Sequence, residues 1–174
     1  MDNKKIAYAG ITTALMIVST FIKIPFQPVP ITLQPFIVLL IPMIFGVKIS
    51  VIGIFLYLIL GLLGLPVFAN GGGLSYFLQP TFGYLVGFLF AAIPIGLLAQ
   101  KIEGFKGKFI GGLIGLLLIY ILGVLYLYYN INFIQNKTFT LSTALKVGFI
   151  LPFGFDFIKL IIACIVSNKI NFYR

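Results

Sequence analysis

Between Lys48 and Lys101 the chain carries no charged residue. A soluble domain cannot be built from such a stretch, because soluble domains carry about a quarter charged residues to face water. The rest of the sequence agrees. Of 174 residues, 61% are hydrophobic and 9% charged, with a mean hydropathy of +1.18. The lipid bilayer is therefore the solvent for this chain, and no soluble domain or internal repeat is visible in it. Twelve Lys and Arg against three acids give a net charge of +9. These basic residues are scattered between apolar runs and form no contiguous patch. The excess reads as membrane topology, not as nucleic-acid binding.

Cysteine and histidine usage narrows the chemistry further. The chain has no His and a single Cys, Cys164. No intrachain disulfide is possible, a zinc site lacks plausible ligands, and no metal or other cofactor is expected. Trp is absent, so Tyr must supply the interfacial aromatics. Lys4 and Lys5 precede a long apolar stretch, as in a signal peptide. That stretch lacks a convincing small-residue cleavage site and runs into further membrane segments, so it reads as a retained first helix.

Six spans are expected, at about 6–24, 31–45, 50–65, 81–99, 109–129 and 141–167, followed by a tail from Asn168 to Arg174. Together they make one all-α transmembrane domain over 1–174, a compact bundle. A bilayer core of about 30 Å needs about 20 helical residues. The second and third spans are shorter and are parted only by Gly46-Val47-Lys48, with Pro35 and Pro42 as possible breaks. An even number of spans places both termini on one side. That side holds Lys4, Lys5, Lys48, Lys101, Lys106, Lys108, Lys169 and Arg174, while the other holds Lys23 and Lys137. Positive charge collects inside, so both termini are expected in the cytoplasm. Gly83, Gly87 and Ala91, and again Gly107, Gly111 and Gly115, recur every four residues and let helix backbones approach closely. Gly10 and Ala14 form a similar pair, suited either to an internal contact or to a partner protein.

Asp156 stands apart from the other two acids, Asp2 and Glu103, which fall at a terminus and in a loop. It lies inside the apolar run from Thr143 to Ser167, with Lys159 three residues on. Positions i and i+3 share a helix face. A charge within the membrane costs roughly 2.5–3.5 kcal/mol on insertion scales unless it is partnered. Two readings follow. The pair lines a cavity where a polar ligand completes its network, or it is an ion pair that only locks helices together.

The loops on the side of Lys23 are unusual. One contains Pro25-Phe26-Gln27-Pro28-Val29-Pro30. The other runs from Pro66 through Asn70 and Gly71-Gly72-Gly73 to Gln79-Pro80-Thr81, and it has no charge. A connector in water would be more polar. A Gly-rich segment with Phe68, Tyr76 and Phe77 suits a lid over an apolar cavity. A flexible connector is the plainer reading.

Four stretches in register over almost the whole chain are similar to the BioY biotin-transporter family. They are Pro28-Val29-Pro30-Ile31-Thr32-Leu33-Gln34, Gly61 to Ala69, Pro80 to Phe88, and Pro152 to Lys159. That family usually has Gly-Pro-Thr-Gly-Gly-Tyr in the third stretch. Here Gln79 and Phe82 replace two of its glycines, and the basic side chain that the family tends to carry near the fourth span has no counterpart between Lys48 and Lys101, so the pocket floor is expected to differ. The resemblance implies the substrate-binding (S) component of an energy-coupling-factor (ECF) transporter, with six helices and both termini inside. It implies high-affinity capture of biotin under the two outer loops. The implied partners are a transmembrane coupling protein and a pair of cytoplasmic ATPases, in a bacterial or archaeal cytoplasmic membrane. The family's pocket Asp and Lys fall on Asp156 and Lys159.

Biotin offers two urea N–H donors, one urea carbonyl, an apolar ring system and a tail ending in a carboxylate. Asp156 suits the N–H groups and Lys159 the carbonyl. Gln79, Asn70, Thr81 and Tyr84 are candidates for neutral hydrogen bonds, and the amides of Gly71, Gly72 and Gly73 for the tail carboxylate, as an anion nest. Each has a plainer reading. Tyr84 suits an interfacial belt, Gln79 and Thr81 suit a helix start at Pro80, and Asn70 suits a turn. An S component for another vitamin is the nearest alternative. An intramembrane enzyme lacks an activating base for any nucleophile. A passive channel would show polar stripes on several helices. No Gly-x-x-x-x-Gly-Lys loop is present, so ATP-driven work must belong to another polypeptide.

Overall fold

The computed structural model describes residues 3–170, so Asp2 and Arg174 lie outside the described residues. The chain is predominantly helical: α1 (Asn3–Phe21), α2 (Gln34–Leu62), α3 (Phe82–Lys101), α4 (Gly104–Tyr129), α5 (Leu141–Leu145) and α6 (Leu151–Lys169). Among the described residues, four helices are long and apolar enough to cross a membrane: Gln34–Leu62, Phe82–Lys101, Gly104–Ile134 and Leu141–Lys169.

Residues 23–24 and 31–32, placed by the sequence at the ends of two spans, are instead strands. Lys23 pairs with Thr32 and Ile24 with Ile31 in a two-stranded antiparallel hairpin. The prolines between them remove helical donors, so α1 stops at Phe21 and α2 starts only at Gln34. The third expected span also ends earlier, at Leu62, before Gly64 with its φ of 109°.

Helix α2 folds back on itself. Gly46, at φ 77° and ψ 179°, breaks it between two helical arms. The Gln34 amide donates to the Tyr57 hydroxyl at 2.8 Å. Along one straight helix those residues would stand about 34 Å apart, so the arms are antiparallel. Glycine suits position 46, because its φ of 77° lies where L side chains are strained.

Helices α3 and α4 are antiparallel and joined by the two small-residue stripes. A Cβ on Gly87 would sit 2.8 Å from Ile119 Cα, and one on Gly115 would sit 2.6 Å from the Ile95 side chain. Both stripes expected from spacing thus serve one interface. Helix α1 packs through its hydroxyl-bearing face, where Thr13 donates to Gly53 O at 2.9 Å and Thr12, Ser19 and Thr20 bond carbonyls of their own helix. Gly10 and Ala14 are exposed on the other side, so they make no internal contact.

Helices α5 and α6 form one continuous rod through a π-helical segment at Lys146–Ile150. A second π segment, Asn130–Ile134, extends α4 beyond the expected end at Tyr129. Between α2 and α3 a 3-10 helix (Leu74–Leu78) lies across the bundle end. Tyr126 donates to Phe77 O, and buried Asn130 donates to Leu78 O. The hairpin, the 63–81 loop and the 130–140 segment therefore share one end of the bundle. At the opposite end Lys108 donates to Ser167 O and to Asn168 Oδ1, both at 2.8 Å.

Candidate functional site

Pro152 opens α6, and one turn later Asp156 faces the interior at 4% exposure. Its Oδ1 accepts from Lys159 Nζ at 2.7 Å. Its Oδ2 accepts from the Tyr120 hydroxyl on α4, also at 2.7 Å. Lys159 Nζ makes a second bond, to the carbonyl oxygen of Thr32 in the hairpin, at 2.6 Å. The i, i+3 pairing expected from sequence is thus present, and it is extended to two further elements. This network answers the cost of placing charge at this depth.

The arrangement is not saturated. A carboxylate has about four lone-pair sites, and two are used here. An ammonium has three N–H donors, and Lys159 uses two. Asp156 also lines a tight cleft, of about 560 Å³ including space open to the outside. The pair therefore still has capacity to bind an uncharged polar group that offers both donors and an acceptor.

The cleft wall is mainly apolar, with Val29, Pro35, Leu85, Phe88, Ile119 and Pro152 among its residues. Its polar members come from six elements: the hairpin, α2, the 3-10 helix, α3, α4 and α6. Gln34 is 3% exposed; its amide nitrogen donates to Tyr57 and its oxygen accepts from the Thr32 hydroxyl at 3.3 Å. Tyr120 and Tyr84 stand edge to face, with centroids 6.3 Å apart. Thr81 meets Tyr76 hydroxyl to hydroxyl at 3.3 Å. The 63–81 loop roofs the cleft through Ala69, Tyr76 and Thr81. It is anchored by Phe68, whose ring packs on Tyr57 and Tyr76 and fills the space a side chain at Gly61 would need.

The sequence candidates fall into three groups. Asp156, Tyr84 and Thr81 line this cleft, with Lys159 bonded to Asp156 at its side. Tyr84 is not a surface belt residue: it is buried, and its hydroxyl donates to Gly148 O in the π segment at 2.7 Å. Thr81 occupies the N-cap position of α3 without a side-chain capping bond. Asn70 and Gln79 line a second cavity above the first, of about 1400 Å³ including space open to the outside. The two cavities meet at Pro30. Gly71, Gly72 and Gly73 line neither. The Gly71 amide donates to Phe68 O and the Gly73 amide to Gly61 O, while a Cβ on Gly72 would lie 2.0 Å from Leu65 O. Two of the three amides expected to form an anion nest are thus used in shaping the loop.

Three polar residues at the cleft escaped the sequence reading: Tyr120, Gln34 and the Thr32 carbonyl. Tyr120 sits alone within the apolar run of α4, and its partner is 36 residues away. The signal that was available is the unsatisfied carboxylate itself, since one lysine occupies only part of its capacity.

A multi-pass helical membrane protein with a partly satisfied, lysine-paired carboxylate in the wall of a loop-roofed cleft presents a candidate site for a small ligand. The BioY family model matches residues 1–173, and the chain belongs to that family. It is 41% identical over 169 residues to the biotin transporter BioY of Thermotoga maritima, covering 97% of this chain and 96% of that one. It is 35% identical to the probable biotin transporter BioY of Pyrococcus horikoshii, covering 98% of both. Its fold is similar to the crystal structure of the S-component for biotin from an ECF-type ABC transporter, with a TM-score of 0.85 and 28% identity, over 100% of this chain and 96% of that one.

Proposed function

We propose that this protein captures biotin outside the cell as the S component of an ECF transporter, and that it binds without catalysing. The observation that carries this is the unsaturated Asp156 carboxylate on the cleft wall, paired at its side with Lys159. The two lone-pair sites left on Asp156 match the two urea N–H groups of biotin, and the third N–H of Lys159 matches the urea carbonyl. Tyr120 and the Thr32 carbonyl hold the pair in orientation. The apolar wall suits the fused rings. Thr81, and Tyr84 as an acceptor, face the same space; Asn70 and Gln79 meet the ligand nearer the mouth. The cleft is tight, so entry requires its roof to part, with the Gly71–Gly73 segment as the hinge of a lid.

The reading includes a single domain over 1–174 with six spans: α1, the two arms of α2, α3, α4 and the α5–α6 rod. The Gln34–Tyr57 bond supports counting α2 twice. The charge asymmetry supports cytoplasmic termini, because the Gly46 end carries Lys48, Lys101, Lys106, Lys108 and Lys169 while the hairpin end carries Lys23 and Lys137. Membrane lipid surrounds the bundle, in the cytoplasmic membrane of a bacterium or archaeon. A transmembrane coupling protein and two cytoplasmic ATPases supply the energy, and the exposed Gly10–Ala14 face of α1 is the candidate surface for the coupling protein.

The test is a thermal-shift screen of detergent-purified protein against biotin and other vitamins. A ligand at a hundred times its dissociation constant adds about 2.7 kcal/mol of stability. Biotin is expected to raise the midpoint at micromolar concentration. A midpoint raised by a different vitamin, with none from biotin, would overturn the substrate assignment.

A further inference from the structure

The inner cleft offers partners for the uncharged head of the ligand but none for an anionic tail, and the Gly71 and Gly73 amides are already used. We propose that the outer cavity is a carboxylate-binding subsite, in which Lys23 and Lys137 hold the anionic end of a ligand whose head lies beside Asp156. This rests on reading the inner cleft as the biotin site.

Four observations carry it. First, the cavity is lined by both lysines together with the amides of Gln27, Asn70, Gln79 and Gln135, and no acid lines it. Only two acids occur among the described residues. Asp156 is paired to Lys159, and Glu103 lies at the opposite end of the bundle. The two positive charges are therefore uncompensated.

Second, the Lys137 ammonium has no hydrogen-bond or ion-pair partner among the described residues, yet its backbone is firmly placed. Its amide donates to Ile131 O at 3.0 Å. Asn132 closes the loop around it, donating to Tyr128 O and Phe139 O at 2.9 Å and accepting from the Phe139 amide at 3.0 Å. The tied loop holds the base of an unpaired cation at the cavity, and the free side chain can reach an anion there.

Third, Lys23 donates to Ala69 O, and Ala69 lines the inner cleft. One N–H of this ammonium thus marks the seam between the cavities, and two remain for a carboxylate. Fourth, the cavities meet at Pro30, and the neighbouring pairs Ala69/Asn70 and Pro80/Thr81 each place one residue in the inner and one in the outer cavity. A ligand with a ring head and a flexible acidic tail spans that junction.

Both lysines are exposed, so each contact is screened and modest. The expected discrimination between an anionic and a neutral tail is about three- to tenfold in total. The experiment is calorimetric titration of the full-length, detergent-purified protein with biotin and with biotin amide. It is run at about 0.01 M and about 1 M salt, where screening lengths are about 30 and 3 Å. The parent should prefer the acid at low salt, and the preference should shrink at high salt. In Lys137→Gln it should narrow, and in Lys23→Gln/Lys137→Gln it should fall to about one, while Lys137→Arg should keep it. Since the Lys137 side chain bonds nothing in the fold, its replacement separates recognition from folding. Equal binding of both ligands by the parent, or a preference that survives the double substitution, would overturn the subsite. A parent that takes neither ligand would sink the biotin assignment as well.

Discussion

The Tyr120 hydroxyl donates to Asp156 Oδ2 at 2.7 Å, and so fixes the carboxylate from the side opposite Lys159. A hydrogen bond to a charged group contributes about 1.5–3 kcal/mol, and a buried carboxylate oxygen cannot replace it from water. Without the phenol, the carboxylate is free to turn toward Lys159 and away from the cleft. Tyr120→Phe is expected to weaken biotin binding about tenfold, measured by titration calorimetry, with the same helical circular dichroism. Unchanged affinity with a lowered thermal midpoint would make Tyr120 a structural residue alone.

Asp156 and Lys159 should behave as a coupled unit. Removing one partner of a buried ion pair costs about 3–5 kcal/mol, because the other charge stays behind uncompensated. Lys159→Ala also frees the Thr32 carbonyl, which loosens the hairpin from α6. Asp156→Asn and Lys159→Ala are each expected to lower the thermal midpoint and to abolish submicromolar biotin binding. Asp156→Asn combined with Lys159→Met should recover part of the stability but none of the binding. A double-mutant cycle on midpoints and affinities checks this. Additive effects on both would mean that the charges do not interact.

The parts of this architecture set by local composition were legible in the sequence, and those set by distant contacts were not. The apolar runs marked α3, α4 and the α5–α6 rod, and the Gly46-Val47-Lys48 turn marked the break in α2, because lipid imposes helices on apolar chain. Asp156 and Lys159 were legible because charge inside such a run needs a reason. The hairpin at 23–32 was hidden, since its two-residue strands are too short to show an alternating pattern and they abut the apolar runs of the adjacent helices. Tyr120 and Gln34 were hidden because a single polar residue within a helix is identified only by the group it faces. The same holds for Asn130, fully buried and bonded to Leu78 O across 52 residues.

Helix contact through glycine makes a sharper stability prediction than the polar residues do. A Cβ on Gly87 would lie 2.8 Å from Ile119 Cα, whereas one on Gly10 meets nothing within 4 Å. Main chain cannot yield as a side-chain tip can, and overpacking costs about 1–3 kcal/mol. Gly87→Val is expected to lower the midpoint in detergent by several degrees and to weaken biotin binding, since α3 carries Tyr84 and Phe88 into the cleft. Gly10→Ala should leave the midpoint of the isolated protein unchanged. Equal effects at both positions would contradict the α3–α4 packing.

The roof of the cleft should respond to alkaline pH through Tyr76. Burial in the 63–81 loop pushes its hydroxyl above the ordinary tyrosine value near 10, and the bond with Thr81 offsets that only in part. A group whose value is raised on folding contributes stability that is fully present below the unfolded value. That contribution is lost as pH climbs through the folded value. The roof should therefore keep its contacts up to about pH 10 and loosen above it. Tyr76→Phe removes the ionisable group while keeping the ring against Phe68. Thermal midpoints of parent and variant, measured from about pH 8 to about pH 11, should differ by a constant amount up to about pH 10. Beyond that the parent should fall faster, with faster biotin exchange than in the variant. Parallel curves across the whole range would show that the phenol ionises with the loop in place, and that the roof does not rest on its burial.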